Sequence, residues 1–320
     1  MLKPWPRVDE LLPQIPPADS PSAWTPLLGH YGDEQGPIVL ERDGRLCVYV
    51  DATTMRFLDQ QSPDCFLGDG LTVRFLRDDR SNVRGVMLGD QWHPRRHVGP
   101  DEGSDQMLVQ SVAPLADIIR QARSMSPPVE SGDFRADDLV DLGSLDPALI
   151  IDLRYASAHN FLSAVFYDEA RALLQRPVAD AVIRVHTRLR AAGFGLTVLD
   201  AYRPWSVTQA FWDAMPLASR WMVADPANTS KHNRGAAIDL TLHDLGTGLP
   251  VSMPSTFDEP TPRAYAFYPG GTTRQRWHRG LLRTAMEAEG FLLNPFEWWH
   301  FDHPDWRAYR VGNVSIGDVR

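Results

Sequence analysis

The apolar residues of this chain change their period partway along it, so no single kind of secondary structure accommodates the whole sequence. From about residue 24 to about residue 112 they come as short runs broken by turn residues: PIVLERDGRLCVYV, DCFLGDGLTVRFLRDD and NVRGVML. Alternation along Arg45-Leu46-Cys47-Val48-Tyr49-Val50, with Asp43-Gly44 and Asp69-Gly70 as turn pairs, predicts antiparallel strands joined by hairpins. Past about residue 140 the pattern mixes helix and strand. Pro177 followed by VADAVIRVHTRLRAAG puts Val178, Val182, Val185 and Leu189 on one helical face, with Gly193 as the stop. GFGLTVLDAYRP predicts a strand running into Asp200 and Arg203, SVTQAFWDAM a helix, AAIDLTL a strand, QRWHRGLLRTAMEAEG a helix and FLLNPFEWWHF a last strand.

Between these halves, SMSPPVESGDFRADD has the Pro, Ser, Gly and Asp of a linker, following a helical stretch near residues 110–122. The expected organisation is an all-β module over residues 1–125, a linker over 126–140 and a second domain over 141–320. That second domain is of the α+β class, its helices packed on a small, mainly antiparallel sheet.

A formal charge of -9, with basic residues scattered among acids, argues against a nucleic-acid surface. Two cysteines, Cys47 and Cys65, exclude a disulfide framework and read as thiols inside strands. The N-terminal MLKPWPRVDELLPQIPP has no apolar signal region and no run is apolar enough to span a bilayer, so a cytoplasmic protein is expected, or a periplasmic one if a signal has been removed.

The chemistry-bearing residues gather in Ser230-Lys231-His232-Asn233-Arg234-Gly235-Ala236-Ala237-Ile238-Asp239 and in Glu297-Trp298-Trp299-His300. A catalytic zinc takes three protein ligands from imidazole and carboxylate and leaves a fourth position open. His232, Asp239 and His300 would supply them, with Gly235 turning the chain so that the first two reach one point. The net positive charge of such a site lowers the pKa of a bound water. Glu297, three residues before His300, could serve as general base and then general acid. Arg203, fixed in direction by Pro204, could stabilise an oxyanion, and Asp200 could orient it. His159, His186, His243, His278 and His303 lack a partner at such an offset and read as structural.

At these residues the chain resembles the VanX-type D-alanyl-D-alanine dipeptidases and the wider zinc peptidases that act on D-alanyl and peptidoglycan peptides. The likeness runs from about Leu142 to Phe301, through IDLRYASAHNF, VLDAYRP, SKHNRGAAIDLTL, STFDE and EWWHF in the family's order. It implies one zinc per chain on His232, Asp239 and His300, Glu297 as base and Arg203 as the transition-state residue. It further implies Ser230 near the substrate carboxylate, Asp258 and Tyr155 at the substrate ammonium, and a small dipeptide as the partner. The chain departs from the family at His159-Asn160-Phe161 and LSAVFYDEA, where the dipeptidases carry an acid before Asn-Phe and a Gly-Lys-Pro-like turn after it. These positions belong to the substrate side, so metal binding and hydrolysis are better supported than strict dipeptide specificity. A carboxypeptidase trimming longer peptidoglycan peptides and a non-catalytic zinc-stabilised binding module remain as alternatives. Separately, LLGHYGDEQGPIVLERDGRL resembles the loosely lipocalin-like β-barrel modules that some serine hydrolases carry, which makes the N-terminal module barrel-like.

Overall fold

The computed structural model describes Leu12 and residues 14–51, 53–99 and 106–319, and the chain divides into two compact units. The first contains eight strands: β1 (Gly29–Tyr31), β2 (Ile38–Arg42), β3 (Arg45–Tyr49), β4 (Met55–Ser62), β5 (Cys65–Gly68), β6 (Leu71–Arg77), β7 (Val83–Leu88) and β8 (Gln91–Arg96). Each pairs antiparallel with the next, and β8 pairs back onto β1 to close a barrel, which leaves no open edge. Both Asp-Gly pairs make the tight turns expected of them: Asp43 and Gly44 have φ of 52° and 77°, Asp69 and Gly70 of 48° and 76°. Alternation sends Val73 and Phe75 of β6 inward, where they join Tyr31, Leu46, Val48, Phe66 and Val86 in a packed interior. The closing strand β8, QWHPRR, carries almost no apolar signal, and only its pairing with β1 and β7 identifies it. Cys47 is buried and Cys65 half-buried, and both are free thiols.

The first unit also takes in residues 252–256 and 261–281, which come from far along the chain. Buried Glu41 holds this segment: its carboxylate accepts from the backbone N–H of Thr273 at 2.7 Å, and its carbonyl accepts from Arg276 at 2.7 Å. His30 and the Tyr268 hydroxyl are hydrogen-bonded at 2.8 Å.

The second unit comprises residues 100–251, 257–260 and 282–320. Its elements in chain order are α1 (Leu115–Arg123), β9 (Leu139–Asp141), the single turn α2 (Leu142–Leu145), β10 (Ile150–Ile151), β11 (Leu173–Gln175), α3 (Arg176–Ala191), β12 (Phe194–Asp200), α4 (Trp205–Ala214) and β13 (Ala237–Asp244). The helix α5 (Thr273–Ala288) follows, its last residues belonging to this unit, and then β14 (Leu292–Leu293) and β15 (His300–Asp302). Five strands form one sheet in the order β10-β12-β13-β15-β14, antiparallel except for the β10–β12 pair. As the apolar spacing requires, α3 buries Val178, Val182, Val185 and Leu189, and Gly193 at φ 87° ends it and leads into β12. Residues 126–140 lie in this unit, and Leu139–Asp141 pair with Leu173–Gln175.

One strand expectation is corrected. FLLNPFEWWHF is two short strands on either side of a turn, because Asn294-Pro295 breaks the run: Asn294 accepts at its side-chain oxygen from the N–H of Phe296, and proline has no N–H to give. Glu297 therefore sits on a turn that leads directly into His300.

Candidate metal centre

The second unit's sheet places the central residues in one row. Strand register puts Asp239 opposite Asp200 on one side and opposite His300 on the other, with a bulge in β12 just before Asp200. His232 arrives from a one-turn 3-10 helix, His232–Arg234, that ends at Gly235 in the left-handed conformation, φ 60° and ψ 29°. A Cβ at Gly235 would stand 2.5 Å from the Leu139 side chain, so both the angle and the space call for glycine.

His232, Asp239 and His300 each offer a ligand atom, all within 4.8 Å of one another, and all three are buried. The His232 Nε2 and His300 Nδ1 atoms lie 3.1 Å apart, and Asp239 Oδ1 is 2.9 Å from His300 Nδ1 and 3.4 Å from His232 Nε2. The outer nitrogens are engaged elsewhere: His232 Nδ1 lies 2.7 Å from the Ala201 carbonyl oxygen, and His300 Nε2 lies 2.9 Å from Asp302 Oδ1. An N–H donated outward on each ring leaves the inward nitrogen with its lone pair, the arrangement metal-ligating histidines adopt. Burial disfavours charge on Asp239, yet the His232 and His300 imidazoles outweigh it and hold the carboxyl well below the usual range. Burial likewise opposes a charged His300, but its bonds to Asp239 and Asp302 push it up to about 10. A proton on His300 Nδ1 and a metal ion compete for the same position beside Asp239, and two imidazoles with one carboxylate are a donor set suited to zinc.

Glu297 is half-buried, its Oε2 lying 3.9 Å from His300 Nδ1 and accepting from the Asn294 amide at 2.8 Å. It is adjacent to the cluster without belonging to it. Burial raises its pKa above the ordinary carboxylate value; the His300 charge opposes the rise and Asp239 adds to it. Arg203 is buried three residues past the end of β12, donating through Nε at 2.9 Å and through Nη2 at 2.6 Å to Asp200 Oδ2. Its guanidinium lies 5.1 Å from the ring centroids of both Tyr155 and Phe211, so an ion pair and two aromatic faces fix it.

The residues expected on the substrate side divide. The Tyr155 hydroxyl donates to Asp258 Oδ2 at 2.8 Å, joining two motifs 103 residues apart. Asp258 sits at φ 58°, and burial raises its pKa well above the usual value, with the Asp239 and Glu297 charges adding to the rise against Tyr155 and Arg203. Ser230 is buried, and its hydroxyl accepts from the N–H of His232 at 3.3 Å, which ties it to the metal-side turn. Trp298 and Trp299 are both buried, and Trp299 packs against Phe257 at 5.4 Å between ring centroids. The remaining histidines of the sequence reading have ordinary partners: His186 bonds Asp146, His243 bonds Thr197, His159 bonds Arg154, His278 bonds the Ser252 carbonyl, and His303 accepts from the N–H of Asp305.

Three residues at this site were not singled out from sequence. Asn233 donates to the Arg203 carbonyl at 2.8 Å and to Thr208 Oγ1 at 2.9 Å, and accepts from the N–H of Ser230 at 2.8 Å, so one amide locks the Arg203 and His232 segments together. Tyr167 donates to Asp200 Oδ1. Asp302 contacts His300. Only Asn233 and Asp302 carried a signal, being respectively next to His232 and two strand residues from His300.

Comparison with known proteins finds relatives over the C-terminal part of the chain. The peptidase M15 family model, described as D-Ala-D-Ala dipeptidase, matches residues 135–311. Over 172 residues the chain is 36% identical to the D-alanyl-D-alanine dipeptidase of Escherichia coli (strain K12), covering 54% of this chain and 88% of that protein. It is 34% identical over 171 residues to the D-alanyl-D-alanine dipeptidase of Enterococcus faecalis, covering 47% of this chain and 83% of that protein. It is 29% identical over 199 residues to the one from Streptomyces coelicolor, covering 55% of this chain and 96% of that protein. The family match begins at residue 135, so β1 to β8 lie outside it.

Proposed function

Because the chain belongs to the M15 peptidase family of D-Ala-D-Ala dipeptidases, we propose that it hydrolyses D-alanyl-D-alanine or a closely related D-amino-acid dipeptide, using one zinc ion per chain. The observation that carries this reading is the buried His232–Asp239–His300 cluster with the Glu297 carboxylate beside it, 3.9 Å from His300 and outside the ligand set. A binding module needs the cluster but has no use for that fourth group.

His232, Asp239 and His300 would hold the zinc, which would supply Lewis-acid polarisation of the scissile carbonyl and a lowered pKa for the attacking water. The chain's own residues do the rest. The Glu297 carboxylate takes a proton from the attacking water and returns it to the departing amine nitrogen, and its raised pKa suits both halves of that task. The Asn294 amide, bonded to Oε2, keeps the carboxylate aimed. The Arg203 guanidinium donates to the oxygen that becomes negative as the carbonyl carbon turns tetrahedral, and Asp200 with the two aromatic faces holds it without reorganisation.

Asp258 and Tyr155 are assigned to the substrate ammonium. Burial together with the Asp239 and Glu297 charges raises the cost of ionising Asp258, and a cation arriving with the substrate relieves it. Ser230 is assigned to the substrate carboxylate on the weaker ground that its hydroxyl lies beside the His232 turn.

The test is a comparison of D-Ala-D-Ala with its N-acetylated analogue. A dipeptidase that recognises the free amine is expected to release D-Ala from the first and to turn over the second at least about 100-fold less efficiently, since an unpaired buried charge is costly. Equal kcat/KM for the two would remove the ammonium assignment and favour a carboxypeptidase acting on longer peptides.

A further inference from the structure

The two histidines of the cluster are backed differently. His232 has a neutral outer partner, the Ala201 carbonyl oxygen at 2.7 Å, whereas His300 has a carboxylate, Asp302 Oδ1, at 2.9 Å from its Nε2. The strand explains the second pairing: His300 and Asp302 are two residues apart in β15, so both side chains leave the same face, while Phe301 between them points into the core and is fully buried. Asp302 is itself fixed on several sides. Its backbone pairs with Ala237 of β13 and with Leu292 of β14, and its Oδ2 lies 3.3 Å from the ammonium of Lys231. Lys231 immediately precedes His232. A ring of contacts therefore runs from His232 through Lys231 and Asp302 to His300 and back across the 3.1 Å gap between the two ring nitrogens.

We propose that Asp302 is the positioning residue of the metal centre: it holds His300 with the Nε2 proton turned outward and Nδ1 presented to the cation, and Lys231 holds Asp302 in place. Asp302 touches neither the cation nor the substrate. It acts through His300, as carboxylates behind metal-ligating imidazoles do, by fixing the ring's tautomer and rotation and increasing the basicity of the ligating nitrogen. The inference rests on the zinc reading above, but its measurement is independent of turnover.

The experiment is zinc affinity by competition with a chelator on full-length protein, for wild type, Asp302→Ala, Asp302→Asn and Glu297→Gln, with thermal unfolding of each metal-free protein alongside. Asp302→Ala is expected to weaken zinc binding about 10- to 100-fold. Asp302→Asn, which keeps the shape and an acceptor but not the charge, shifts the same way by a smaller factor, and it carries the test if the alanine variant does not fold. Glu297→Gln keeps the wild-type affinity. A purely structural Asp302 would lower the unfolding midpoint of the metal-free protein and leave the zinc Kd unchanged; an unchanged Kd in a folded Asp302 variant overturns the proposal. Wild-type protein that binds zinc but leaves D-Ala-D-Ala intact would sink the functional reading while the Kd series still decides this one, and wild-type protein that takes up no zinc overturns both.

Discussion

At the residue scale, the proposed function separates groups that would hold a cation from groups that would act on the substrate, and substitutions are expected to separate along the same line. Glu297→Ala retains stoichiometric zinc, measured by elemental analysis, while kcat falls by about 10²- to 10⁴-fold. An active variant would remove Glu297 from the mechanism. Arg203→Ala lowers kcat by about 10²- to 10³-fold with a smaller change in KM, because its interaction strengthens only as charge develops on the carbonyl oxygen. A rise in KM at unchanged kcat would make Arg203 a ground-state binder instead. Sequence pointed to the candidate metal cluster because His232 and His300 each sit in a motif with an acidic residue at a fixed offset. Tyr167 was not legible in the same way: its role is to bond a group brought near by folding, and a tyrosine inside VFYDE has no spacing that announces it.

At the element scale, the elements read most directly were those whose local chemistry and burial agree. The Asp-Gly turns of the barrel and the buried face of α3 needed no tertiary information. β8 needed it, since QWHPRR becomes a strand through pairing with β1 and β7. The break between β14 and β15 was written in Asn294-Pro295 but masked by the apolar residues around it. The turn at Gly235 offers an element-level test. Gly235→Ala forces a left-handed angle on an L-residue and drives a Cβ to 2.5 Å from Leu139, so a loss of about 1–3 kcal/mol is expected, seen as a lower unfolding midpoint together with weaker zinc retention. A variant as stable as wild type would mean that the His232 turn relaxes freely. In the barrel, Cys47 and Cys65 are both free, and burial pushes the Cys47 thiol up to about 11. Alkylation of denatured, unreduced protein is therefore expected to label two thiols by mass, whereas alkylation of the native protein leaves Cys47 unlabelled.

At the scale of the whole molecule, two units share one chain, and the chemistry assigned here uses residues of the second alone. The family match, residues 135–311, takes in most of the second unit and residues 252–256 and 261–281 of the first, and the closed barrel stands outside it. The barrel's interior is occupied by Tyr31, Phe66, Phe75 and their aliphatic neighbours, as expected of a packed module. Sequence pattern revealed that there was such a module; it did not reveal that residues 261–281 belong to the same unit, because a segment held by Glu41 and Arg276 across more than two hundred residues leaves no local periodicity. Among the described residues no helix is long and apolar enough to cross a membrane. The central claim is that a zinc ion on His232, Asp239 and His300 drives hydrolysis of D-alanyl-D-alanine. It is tested most directly by measuring alanine release from D,D-, L,D- and L,L-alanyl-alanine before chelation, after chelation and after zinc is restored. Release confined to the D,D-dipeptide, lost on chelation and regained with about one zinc per chain, is the expected result; release that survives chelation, or that falls equally on the L,L-dipeptide, would contradict it.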